Sequence, residues 1–365
     1  MKNHNYIFGY KSLLFFVFLF IYKSKNFAQN DSSGVLKIGG YAEVYYSYDF
    51  SNPSNHEKPE FIYNHKRHNE LNVNLLLLKA NYTNDWLSAN LGWMKGNYAQ
   101  YNLAAEPSDL RGIYEANIGF ALNKKKNVKL ETGVLPSHIG FESAIGADCF
   151  TLTRSLVAEN SPYFETGIKL SGETENKKWF FSGLVLNGWQ KMQRTPNEEQ
   201  PSYGLQIQYK PSNKLTVNYS NFFGQTQPDT STIYRFYHNL YLISELNTKS
   251  SIILSCDVGV DKKTTKKSYT WIVPVFIIKT KLSSTSSISF RTEYFNDPDK
   301  VILSLVNGKE AQVFGSSINL DKRIHERLLL RFEAKHFYAS EKIFIINNQA
   351  NNNNYTFTSA LCFQF

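Results

Sequence analysis

Charged residues stand at every second position near the end of the chain. Arg331, Glu333 and Lys335 do so in "LLLRFEAK", and Arg291 and Glu293 in "SISFRTEYF". At a spacing of two, such side chains share one face of an extended strand. Arg327 has the same parity and is expected on that face. The opposite parity is apolar: Leu328, Leu330, Phe332, Ala334 and Tyr338, and in the other stretch Ile288, Phe290 and Tyr294. A face carrying Arg, Glu and Lys is not a packed core, because unpaired buried charge is expensive. It suits the wall of a water-filled passage, where fixed charges act on ions and polar solutes. A second group of charges, Glu142, Asp148, Arg154 and Glu159, lies in the connection "HIGFESAIGADCFTLTRSLVAEN", residues 138–160. Folded inward, this segment would set acid and base across a constriction. Packed outward, it would cap a rim. Its apolar content favours the inward placement.

Other chemistries find little support. There is no G-x-S-x-G, H-E-x-x-H, phosphate-binding loop or EF-hand pattern. His238, in "YRFYHNLYL", falls on an apolar face with no serine at strand spacing, so a catalytic role is not expected. Cys149, Cys256 and Cys362 are odd in number and far apart, which signals neither a disulfide framework nor a zinc site. No metal, cofactor or catalytic residue is therefore assigned. The cluster "NHKRHNE", residues 64–70, reads as a solvated loop face or as a site for an anion or the phosphates of surface glycolipid. "DKKTTKKS", residues 261–268, reads as solvated loop.

The charged faces belong to a repeating architecture. About sixteen segments alternate at period two, from Val35–Phe50 to Asn353–Phe365. The connections alternate as well. "TND", "NKKKN", "TENKK", "PSN", "NTK", "SST" and "DKRIH" are tight. Between them lie the longer stretches 51–66, 101–110, 138–160, 192–201, 226–232, 262–267, 297–309 and 340–352. This predicts an all-β chain: a transmembrane, antiparallel, up-and-down β-barrel of even strand number, with short turns and both termini on the periplasmic side. The stretch 138–160 is then the third outer loop. Only a closed barrel satisfies every strand hydrogen bond in hydrocarbon. Two segments, Trp179–Lys191 and Ser268–Lys281, are apolar on both faces, and Pro274 interrupts the second. Tyr46, Tyr48, Tyr82 and Trp86 fit interfacial girdles in contact with outer-membrane lipid. The chain ends inside its last alternating segment, "YTFTSALCFQF", which is expected to close the barrel against Val35–Phe50.

Residues 1–28 differ from the rest. Basic Lys2 and Lys11, the apolar run "SLLFFVFLFIY" and Ala28 form the pattern of a secretory signal peptide, leaving 29–365 as the barrel domain. The formal charge is +9, and four of those charges, Lys2, Lys11, Lys23 and Lys25, lie in this leader. The remaining basic residues are scattered, so no nucleic-acid surface is expected.

The opening "GGYAEVYYSYDF", the stretch "GFESAIGADCFTLTRSLVAENSPYFETGIKLSGE" and the terminal "ALCFQF" together resemble the OmpL-like β-barrel porins of Gram-negative outer membranes. Glu142, Arg154, Ser155, Leu156, Ser161, Pro162, Tyr163, Glu165, Gly167 and Lys169 carry the likeness most strongly. The resemblance implies a pore-like protein and supplies no catalytic residues. A terminal Phe365 on an alternating strand also resembles the signal read by barrel-assembly machinery. The expected function is passive diffusion of small hydrophilic solutes or ions. The alternative is a closed barrel serving as a surface binding or adhesion scaffold. A homo-oligomer is compatible with either.

Overall fold

The computed structural model describes residues 34–365 except 197–199, 228–232, 263–266, 304–310 and 347–348. The leader expected over 1–28 lies outside the described residues. Alternation produces strands β1 (Val35–Asp49), β2 (Leu71–Thr83), β3 (Leu87–Lys95), β4 (Ile113–Ala121), β5 (Val128–Pro136), β6 (Phe164–Glu173), β7 (Trp179–Leu186) and β8 (Ser202–Ser212). It continues through β9 (Leu215–Gln227), β10 (Ile233–Glu245), β11 (Ser250–Lys262), β12 (Ser268–Lys281), β13 (Ser286–Asp297), β14 (Ala311–His325) and β15 (Leu328–Ala339). A small hairpin, β16 (Phe344–Ile346) and β17 (Gln349–Asn351), sits in the last loop before β18 (Asn353–Gln364). Each long strand pairs antiparallel with its neighbours, and β18 pairs with both β15 and β1, so sixteen strands close into a barrel.

Closure sets β18 against β1. Phe363 faces Ala42 across the seam, and Phe365 exchanges two backbone hydrogen bonds with Gly40, each 3.1 Å. Among the described residues, the closed sheet leaves no strand edge for lipid to meet. The outward parity carries exposed Leu78, Ile118, Leu170, Ile318, Leu361 and their neighbours, an apolar belt that lipid would cover. His238 faces outward as expected and contacts the hydroxyl of Tyr219 at 2.7 Å.

One turn lies elsewhere than expected. "DKRIH" is the end of β14, and the turn is Glu326–Arg327. Arg327 therefore leaves the inward face: it is exposed and stands 3.8 Å from Glu326. The inward face of β15 begins instead at Leu329, and Phe337, which interrupts the charged pattern in the sequence, is also inward and 2% exposed.

That inward Phe337 belongs to a larger departure from a uniformly wet lumen. Trp271, Val273, Val275 and Ile277 form the inner face of β12 and are at most 3% exposed. They cluster with Phe61 and Ile62 of the first loop (residues 50–70), Leu156 and Val157 of the third loop (residues 137–163), and Phe344 of the hairpin. A second cluster joins Leu75 and Leu77 of β2 and Met94 of β3 to Tyr98 and Leu103 of the second loop and Leu152 of the third. Loops thus occupy the lumen toward its long-loop end. The strand that is apolar on both faces has lipid outside and packed loops inside.

Candidate functional site

The third loop crosses to the inner wall of β13–β15 and is fastened there by side chains of alternating parity. Arg291 donates through Nη1 to Thr151 Oγ1 (2.8 Å) and the Thr153 carbonyl (2.7 Å). Its Nη2 donates to Thr153 Oγ1 and Glu333 Oε1, both at 2.9 Å. Glu333 accepts in turn from the Thr153 amide at 2.5 Å. Glu293 accepts from the Leu156 amide at 2.5 Å, and Lys335 bridges Glu293 (3.1 Å) and the Arg154 carbonyl (3.0 Å). One level nearer the short turns, Arg331 pairs with Asp321 at 2.7 Å and donates to the carbonyls of Gly146 and Cys149. The charges on this wall are therefore joined to the loop rather than facing open water: Arg291, Glu293, Arg331 and Glu333 are at most 2% exposed.

The loop's own charges divide by task. Arg154 is fully buried and donates to the carbonyls of Ser143, Leu152 and Ala144, so its charge folds the loop. Glu142 accepts from the Ser155 amide at 2.9 Å and from its hydroxyl, which helps start the single helical turn Leu156–Glu159. Burial pushes the Glu142 carboxyl up, against the pull of Arg291, 3.9 Å away, and Arg154. Glu159 accepts from the amides of Tyr63 (2.8 Å) and Asn64 (3.0 Å) and from the Asn64 side chain (3.0 Å), tying the first loop to the third. Asp148 alone of the four acids and bases of this loop is exposed.

Three anchors carry no signal in the alternating charges. His138, at the start of the loop, lies between Glu165 (2.6 Å) and the Asn221 carbonyl (2.7 Å). Burial works against its cationic form, but the Glu165 carboxylate and the Asn221 carbonyl outweigh it and raise its pKa. Tyr41 of β1 accepts from the Ala147 amide at 3.2 Å. Glu43 of β1 receives His65 of the first loop at 2.6 Å and Asn74 at 2.8 Å. The basic cluster 64–70 accordingly forms no exposed patch: Asn64, His65, Lys66 and His68 are buried, and Arg67 pairs with Glu57 and Glu70.

Solvent reaches other parts of the lumen. On the β2–β6 arc, Lys79 pairs with Glu115 (2.9 Å) and Lys169 with Glu131 (2.8 Å), and both lysines keep partial exposure. A cavity of about 260 Å³ separates the third loop from the wall, lined by Tyr114, Ser137, Glu142, Ser143, Tyr163 and Tyr241 among others. Among the described residues there is no group of three or more His, Cys, Asp or Glu that could hold a metal ion.

No curated protein sequence matches the chain. Solved structures share its fold at low identity. The anion-selective porin from Comamonas acidovorans aligns with a TM-score of 0.60 and 7% identity, over 91% of this chain and 100% of its own. The trimer form of in-vitro folded OmpT, an outer-membrane protein of Vibrio cholerae, gives 0.60 and 8%, over 91% and 100%. The outer-membrane channel DcaP of Acinetobacter baumannii gives 0.60 and 10%, over 91% and 98%. The family model described as "Putative beta-barrel porin-2, OmpL-like" matches residues 35–365, the whole barrel. The chain belongs to this family of OmpL-like β-barrel porins and is an outer-membrane porin.

Proposed function

We propose that small hydrophilic solutes and ions diffuse through this barrel along a narrow path set by the third loop. The observation that carries this reading is the contrast between the two arcs of the lumen. Inward charges on β13–β15 are sealed under the loop, whereas the Lys79–Glu115 and Lys169–Glu131 pairs remain partly solvated. The path runs past those pairs and exposed Asp148, through the cavity beside the loop. Small sugars are expected to swell proteoliposomes at a rate that falls steeply with solute size. Equal rates for a monosaccharide and a tetrasaccharide would contradict a loop-set constriction.

The same reading orients the molecule. The short turns and both chain termini face the periplasm, residues 1–28 are a removed leader, and outer-membrane lipid covers the belt. Phe365 presents the assembly signal. Deleting it is expected to cut the amount of heat-modifiable, folded barrel in the outer membrane by about tenfold, since the seam to Gly40 is lost with it. Unchanged folded yield would remove the role. Homotrimers, the form of the Vibrio neighbour, fit a barrel of this size, and cross-linking of detergent-extracted protein tests that assembly. The protein acts without catalysis: purified protein is expected to turn over neither phospholipid nor peptide.

The two packed clusters inside the lumen favour a second reading, a closed barrel acting as a surface scaffold. It predicts folded protein that swells no liposome and binds a surface partner.

A further inference from the structure

The basic excess of the barrel's connections is gathered at one end. By sequence, the seven short turns carry eight basic residues against three acidic, while the eight long loops carry thirteen against fourteen. The inner wall just above the turns has the same bias. Lys37 shares the parity of inward Tyr41 and Glu43. Lys129 shares that of Glu131, Lys210 that of Gln206 and Gln208, Lys281 that of Ile277 and Lys279, and Arg323 that of Asn319 and Asp321. All five are exposed, on five strands spread around the barrel. Lys37, Lys129, Lys210 and Lys281 make no ion pair among the described residues. Against them stand two exposed inward acids at the same end, Glu173 and Glu245. The next layer inward is largely compensated by pairing: Lys79 with Glu115, Lys169 with Glu131, and Lys279 and Arg331 sharing Asp321, which leaves one positive charge in excess.

We infer that this basic ring makes the pore select anions, with the positive field concentrated at the turn-end mouth. A ring of one sign around a low-dielectric passage raises the local concentration of opposite ions and repels like ones. The solutes favoured are small anions such as carboxylates and phosphates. Because the long-loop end lacks the excess, the field is one-sided, and the current should rectify. The inference rests on the open-pore reading above.

The test is the zero-current potential of the reconstituted protein under a potassium chloride gradient near 0.1 M, where screening is limited to about 10 Å. The expected sign gives chloride over potassium. Neutralising the lumen-facing set together (K37Q, K129Q, K210Q, K281Q) is expected to reduce that ratio about threefold. The turn-tip set (K124Q, K125Q, K177Q, K178Q) is expected to change it little. Cation preference in the unmodified protein overturns the inference and leaves the pore reading intact. Absence of any current overturns the pore reading and this inference with it. Anion preference that responds only to the turn-tip set overturns the ring as its source and assigns those lysines to the outer rim, where anionic lipid lies.

Discussion

Arg291→Ala is expected to release the third loop from the wall and raise single-channel conductance on the order of threefold. The guanidinium is the central fastener. It holds Thr151 and Thr153 of the loop through three hydrogen bonds and donates a fourth to Glu333, and it lies 3.5 Å from Glu293 and 3.9 Å from Glu142. Its removal leaves three carboxylates in a region with almost no solvent, with Lys335 3.1 Å from Glu293 and Arg154 acting on Glu142. Breaking one partner of a buried ionic group costs about 3–5 kcal/mol. The loop can avoid that cost by letting water in. The expected pair of results is therefore lower thermal stability and larger current. Arg291→Lys keeps the charge but cannot reproduce the planar fork, so it should lie between the two. Loss of stability with unchanged conductance would show that the loop does not limit passage.

Glu159→Ala should act on the first loop instead. Three donors, the amides of Tyr63 and Asn64 and the Asn64 side chain, converge on this one carboxylate. Hydrogen bonds to a charged acceptor contribute about 1.5–3 kcal/mol each, and a shared acceptor makes them non-additive, so a loss of about 3 kcal/mol is expected. The third loop keeps Arg291, Arg331 and Lys335. The first loop keeps His65 on Glu43 and the packing of Phe61 and Ile62. Current should therefore flicker between the native level and a higher one as the first loop docks and undocks. Thermal stability and noise indistinguishable from the native protein would show that this carboxylate does not couple the loops.

Strand number, pairing order and outward faces were legible because a barrel wall repeats one rule, and period two records it without reference to distant residues. Arg291 with Glu293, and Arg331 with Glu333 and Lys335, could be placed inward for the same reason. What those side chains meet could not be read locally. Leu329 and Phe337 look like interruptions only if the lumen is assumed to hold water; they are the places where loops pack. The double apolar character of β12 has the same cause. The "DKRIH" stretch resembles a turn by its charge, yet β14 continues through it, with Asp321 paired inside the barrel to Lys279 and Arg331 and residues 322–325 exposed. The first loop was opaque for a different reason. Its buried residues Lys58, Asn64 and His65 are polar and aperiodic, and their partners Thr358, Glu159 and Glu43 are remote in sequence. Polar groups buried by long-range pairing leave no compositional trace.

That the third loop sets the width of an otherwise open barrel is tested most directly by single-channel conductance in a planar bilayer, recorded for the native protein and for Arg291→Ala under the same salt. Small, discrete steps in the native protein that grow in the variant are the predicted result. Silence in both, or steps of equal size in both, would contradict it.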